Sequence, residues 1–202
     1  MSDTISQNRA QIYWWLSSLV AKELNDNQLQ ALFSPEVSGF IESLSLEQGL
    51  EASSKKLSNA INQLRLRNDC KLELAADYAS LFLGAGRSSV QPYASFYLSE
   101  EGLLMQQPHH DMIKRLQSYG LAQSEAFNEP ADHLAIILDF MGNLAVKDVA
   151  VKEQLDCLEQ CLLNWLPRWS EDIARHDSFG FYQAVSQLIL AFTQADKAFI
   201  SN

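Results

Sequence analysis

Glu129, Pro130, Asp132 and His133 stand together in the run NEPADHLAIILDFM, residues 128–141, where two carboxylates and an imidazole precede a strongly apolar stretch. These residue types are those of acid–base chemistry, in which a carboxylate orients an imidazole that exchanges a proton near neutral pH. Their spacing argues against that use. Consecutive residues on a helix point about 100° apart, so Asp132 and His133 need not meet, and no serine or cysteine of the chain sits in a recognisable nucleophile elbow. Two other readings stand. One is a capped helix start, with Pro130 in the first turn and Glu129 and Asp132 at the positive end of the macrodipole. The other is a polar cluster at the mouth of a groove between two halves of the chain.

Other clusters carry weaker signals. Cys157 and Cys161, two of the three cysteines, are spaced to share a helix face. A structural zinc site needs about four ligands, so thiols packed as small hydrophobes are expected. An odd cysteine count suits a reducing compartment. GAGRSS, residues 84–89, has glycines that could admit an anion, but it lacks the lysine of a phosphate loop and no strand precedes it. A helix-to-helix connection is expected there. His109, His110 and Asp111 follow Pro108 and read as a solvated helix start rather than metal ligands. Trp14, Trp15, Trp165 and Trp169 fall at helical apolar positions and read as core.

These residues must be positioned by helices. Almost every segment carries the 3.6-residue period and none sustains alternation. Ile12, Trp15, Leu16, Leu19 and Val20 make the face of a first helix; Leu29, Leu32 and Phe33 follow Asp26, read as an N-cap, and Pro35 ends that helix. Further helices follow around Val37–Leu44, Leu50–Leu64, Leu72–Phe82, PYASFY and Gln106–Tyr119, the last stopped by Gly120. Residues 131–146 are apolar almost all round, which predicts a central buried helix. Two or three helices follow it. The fold expected is an all-α bundle of about nine or ten helices in two packed subdomains, 1–119 and 131–202, joined by a linker or hinge at 120–130. Straightening of that hinge would let two copies exchange their C-terminal helices in a domain-swapped homodimer.

Composition narrows the function. The 202 residues carry 47% hydrophobic and 20% charged side chains, a globular balance. A formal net charge of −10 disfavours nucleic acid as a partner and suits a cationic one. No basic segment followed by an apolar run opens the chain, and no apolar run reaches membrane-spanning length. A cytoplasmic protein without stable membrane insertion is expected.

Taken together, DYASLFLG at 77–84, PYASFYLSEEG at 92–102 and EPADHLAIILDFM at 129–141 resemble the signature of the TorD/DmsD family of molybdoenzyme maturation chaperones. The resemblance extends over nearly the whole chain and is greatest to the branch serving trimethylamine N-oxide reductase. It implies a dedicated chaperone, not an enzyme. Such a chaperone binds the apo-molybdoenzyme and its twin-arginine signal peptide, favours insertion of the molybdenum cofactor and delays export. Family positions implicated in signal-peptide binding fall on Asp77, Tyr78, Leu81, Phe82, Pro92, Pro130, Asp132 and His133. Tyr93, where some relatives have tryptophan, and Glu129 complete the expected set. No permanently bound cofactor, metal or catalytic residue is implied; GTP is a ligand of some relatives and is carried here without a site.

A twin-arginine signal joins a cationic head to an apolar stretch. Tyr78, Leu81 and Phe82 are expected to supply an apolar groove, edged by Asp77, Glu129 and Asp132, for helix-in-groove docking. The rivals are a small-substrate enzyme using the Asp-His pair and a non-catalytic helical scaffold.

Overall fold

In the computed structural model, which describes residues 2–84, 89–147 and 149–201, the described chain is all-α and bears out the expected class. Eleven α-helical segments are present among these residues, α6 being only five residues long. Two are continued by π-helical turns, Ala79–Leu83 and Leu158–Leu163, which the periodicity does not predict. Residues 85–88 of the GAGRSS stretch lie outside the described residues.

The chain divides into two compact units that interleave in sequence. The first comprises Met1–Ala21, Pro92–Arg168 and Asp196–Asn202; the second comprises Lys22–Gln91 and Trp169–Ala195. This grouping differs from the division expected at 120–130, because that segment runs inside the first unit. Side-chain chemistry accounts for the difference. Asp196 in α11 (Phe181–Ile200) is buried, and Arg9 of α1 (Ser2–Val20) donates to both its oxygens at 2.6 and 2.9 Å. Tyr13 donates at 2.7 Å, and the Arg9 guanidinium also reaches Gln154 at 2.9 Å. A buried carboxylate demands such compensation, so the two chain ends belong to one unit.

The centre of the first unit is α8 (Leu134–Val146), whose residues are buried almost throughout, as its all-round apolar pattern predicts. It lies along α1. Ser17 donates to the Ala135 carbonyl at 2.8 Å, and Trp14 donates through Nε1 to the Asp139 carbonyl at 3.3 Å. Gly142 makes this approach possible, since a Cβ there would stand 2.5 Å from Trp14 Nε1.

Also in this unit are α6 (Ala94–Leu98), α7 (Gln107–Ser118) and α9 (Val151–Cys157). Gly120 ends α7 as expected. Its φ of +65° suits glycine, while its N–H and that of Leu121 reach the Gln117 and Leu116 carbonyls at 3.0 and 2.9 Å, a Schellman closure. Trp165 is fully buried, and Trp14 and Trp15 are half-buried.

The second unit holds α2 (Asp26–Leu32), α3 (Pro35–Leu44), α4 (Glu51–Arg65) and α5 (Cys70–Tyr78), with most of α10 (Leu166–His176) and α11. Asn25, not Asp26, caps α2, in a reciprocal box with Gln28. Pro35 opens α3 behind the Ser34 cap. Its core includes an aromatic cluster of Tyr78, Phe82, Trp169 and Tyr182, with ring centroids 4.9–6.4 Å apart. Cys157 is buried and Cys70 and Cys161 half-buried, all three as free thiols.

Candidate functional site

The run 129–133 does not form the first helical turn that Pro130 suggests. Helix α8 starts at Leu134, and His133, in extended backbone, is its N-cap. The cap is made by the imidazole, whose Nδ1 accepts the Ala135 N–H at 3.1 Å. The preceding residues form a tight turn, with the His133 N–H on the Pro130 carbonyl at 2.9 Å. The helix is displaced because this segment pairs instead with residues 92–95. Leu134 donates to the Pro92 carbonyl at 2.8 Å and Ala94 to the Asp132 carbonyl at 3.1 Å, forming an isolated antiparallel bridge between Tyr93 and His133.

Asp132 has a second task there. Its Oδ2 accepts the Ser95 N–H at 2.7 Å at the beginning of α6, and the side chain is fully buried. Its Oδ1 is buried without a hydrogen-bond partner. The Ser95 hydroxyl accepts the Gln106 N–H at 3.0 Å, connecting this start to the approach of α7.

Asp132 and His133 therefore do not pair with each other. Burial pushes His133 down to about 4, so its ring is neutral near pH 7, with the remaining proton on Nε2. A general base requires access to a substrate and a pKa near the working pH; His133, 2% exposed, has neither. The edges of its ring meet Tyr93 and Phe127, with centroids 5.0 and 5.2 Å away. Tyr93 donates to Glu129 at 2.7 Å. Tyr93, Glu129 and Pro130 are half-buried and Pro92 is buried. Glu129 and Tyr93 are thus the polar groups of the motif that reach solvent.

His109 belongs to this arrangement, contrary to its reading as part of a solvated helix start. It is buried, and its Nδ1 accepts the Ala131 N–H at 2.8 Å. Gln123 braces the same stretch from within the expected linker, donating to the Phe127 and Glu129 carbonyls. The role of His109 has no local sequence signal, because it joins a side chain to the backbone of a segment 22 positions away.

The remaining expected residues lie in the second unit. Tyr78, Leu81 and Phe82 are 2–4% exposed. They are core groups here, rather than the lining of an open apolar groove. Asp77 differs from them. It is half-buried, its Oδ2 has no hydrogen-bond partner, and its carboxyl is pushed up to about 7, mainly by burial and further by the Asp177 carboxylate, against the opposing influence of Arg67. Asp177 is itself occupied in holding the start of α11, accepting the Gly180 and Gln183 N–H groups at 2.6 Å each. Among the described residues no group of three His, Cys, Asp or Glu side chains could hold a metal ion.

The chain matches the nitrate reductase delta subunit family over residues 44–171. It is 41% identical to the chaperone protein TorD of Photobacterium profundum, covering 96% of this chain and 95% of that one. Identity to the TorD of Aliivibrio fischeri is 42%, over 97% and 96% of the two chains. The chain belongs to the TorD family. Its fold is also similar to the crystal structure of a proposed redox enzyme maturation protein from Archaeoglobus fulgidus, with a TM-score of 0.55 and 18% identity over 96% of this chain and 94% of that one. That similarity extends the TorD-family fold to a distant sequence.

Proposed function

We propose that this chain is a dedicated maturation chaperone, not an enzyme, serving a molybdoenzyme of the trimethylamine N-oxide reductase kind. It binds the apo-enzyme and its twin-arginine signal peptide in the cytoplasm, favours insertion of the molybdenum cofactor and delays export. The full-length similarity to TorD chaperones supports the class. The arrangement at 129–133 supports the binding mode: a braced turn presents Glu129 beside Tyr93, while the imidazole that an enzyme would need is buried and neutral.

A cationic-apolar peptide suits the surroundings of that turn. Asp132 holds the start of α6; Leu98 at the end of that helix and Leu103, Leu104 and Met105 beyond it are exposed, as are Glu100 and Glu101 between them. Each apolar anchor that becomes fully buried contributes roughly 1.5–3 kcal/mol. Three or four, less the cost of ordering the peptide, reach the roughly 8 kcal/mol of a micromolar complex.

Charge reversal tests this reading. Glu129→Lys should weaken binding of a twin-arginine peptide at least tenfold at low salt and leave the melting temperature almost unchanged. Equal affinity of both proteins would remove Glu129 from the site. Two related proposals have separate tests. Concentration-dependent light scattering reads exchange of the helices beyond 120–130 between two copies, and equilibrium dialysis with GTP reads nucleotide binding.

A further inference from the structure

His109 on α7 and Asp132 on the turn stand in an arrangement with two solutions. The His109 Nδ1 now accepts the Ala131 N–H at 2.8 Å, which it can do only while that nitrogen carries no proton. The same Nδ1 lies 3.8 Å from Asp132 Oδ1, the buried carboxylate oxygen that has no hydrogen-bond partner. A proton on Nδ1 would expel the Ala131 amide and create a charge-assisted donor to that oxygen. We infer that His109 is a positioning residue for the peptide site: neutral, it holds the 129–133 turn through Ala131, and protonated, it turns to Asp132 and releases the turn that presents Glu129.

This inference rests on the peptide-binding reading and adds its regulation. Acidification loosens the grip on the client's signal by a local exchange of one hydrogen bond for another. The titratable groups on the elements around His109 are Glu129, Asp132 and His133 on the turn, Tyr97 on α6, and His110, Asp111, Lys114 and Arg115 on α7. His110 is exposed with its ring centroid 5.3 Å from that of His109. Glu129 is held by Tyr93. Asp132 is the carboxylate within 4 Å of His109 among the described residues. His133, pushed down to about 4, does not change charge between pH 5.5 and 8.

The test uses the full chain, nitrogen-15 labelled, between pH 8 and 5.5, together with calorimetric titration by a synthetic twin-arginine peptide at both ends of the range. The Ala131 amide resonance should move with the same midpoint as the His109 imidazole, with or without peptide. His109→Asn keeps an acceptor near the Nδ1 position that does not titrate, so it should rescue the affinity lost in His109→Ala at pH 8. From pH 8 to 5.5 the wild type should lose about tenfold more affinity than His109→Asn. Asp77, pushed up to about 7, changes charge over this range in both proteins and cancels from that difference. His110→Gln should leave the wild-type pH effect in place.

An Ala131 amide indifferent to the titration of His109, or equal losses of affinity in wild type and His109→Asn, would overturn the inference. An amide that follows His109 while no peptide binds at either pH would uphold the switch and overturn the function it is read to serve.

Discussion

Asp132 and Asp77, one in each unit, show opposite uses of a carboxylate. Asp132 is fully buried and committed to structure, with one oxygen on the Ser95 N–H and the other beside His109. Asp77 is half-buried beside the Asp177 carboxylate, and its proton affinity is raised to match. The residues next to each repeat the contrast. Around Asp132 the polar groups are engaged and Glu129 reaches solvent; after Asp77 the apolar residues Tyr78, Leu81 and Phe82 turn into the core. Residues of one expected binding set therefore divide into those that build the site and those exposed enough to touch a ligand.

The largest effect that separates these roles is expected at Phe82. As a core group among Tyr78, Trp169 and Tyr182, its replacement by alanine should cost about 3–5 kcal/mol. Urea unfolding should report that loss; an unchanged unfolding midpoint with weakened peptide binding would instead return Phe82 to a groove. Asp132→Ala comes next. Loss of a charged, buried acceptor leaves the Ser95 N–H unsatisfied and should cost about 2–3 kcal/mol. Asp132→Asn, whose amide oxygen can still accept that N–H, should recover part of it.

Asp77 has a smaller effect with a pH signature. Its folded pKa of about 7 exceeds the ordinary 3.8, so between those values the folded state holds the proton that the unfolded chain has released. Stability contributed by this group is therefore greatest below about pH 4, falls as pH rises towards 7 and levels off above it. Asp77→Asn should raise the melting temperature at pH 8 by a few degrees, an amount moderated by the partial exposure of the side chain. The gain should vanish near pH 4. Melting curves of both proteins across that range check the sign. The smallest effect is expected from Tyr93→Phe, which removes one half-buried hydrogen bond to Glu129 and should cost about 1 kcal/mol or less. Differential scanning calorimetry can resolve it.

What could be read from the sequence was local. The helical period repeats every few residues, so the all-α class, the buried run of α8 and the stop at Gly120 are legible in the sequence. Pairings between distant segments are not. Arg9 and Asp196 are 187 positions apart, and nothing near either one announces the ion pair that places both chain ends in one unit. At the site, the E-P-x-D-H element was legible as a polar cluster before an apolar helix. Its geometry was not, because residues 92–95 take up the backbone that Pro130 would otherwise lead into a helix. The same holds for His109: its neighbours Pro108, His110 and Asp111 suggest a solvated helix start, while its partner Ala131 lies 22 positions away.

The central claim is recognition of a twin-arginine signal. Isothermal titration of the purified chain with a synthetic signal peptide from trimethylamine N-oxide reductase, against one from another molybdoenzyme, tests it most directly. The account predicts micromolar or tighter binding of the first peptide, weaker binding of the second, and loss of affinity with added salt as the arginine contacts are screened. Failure of both peptides to bind at low salt and pH 8 would contradict it.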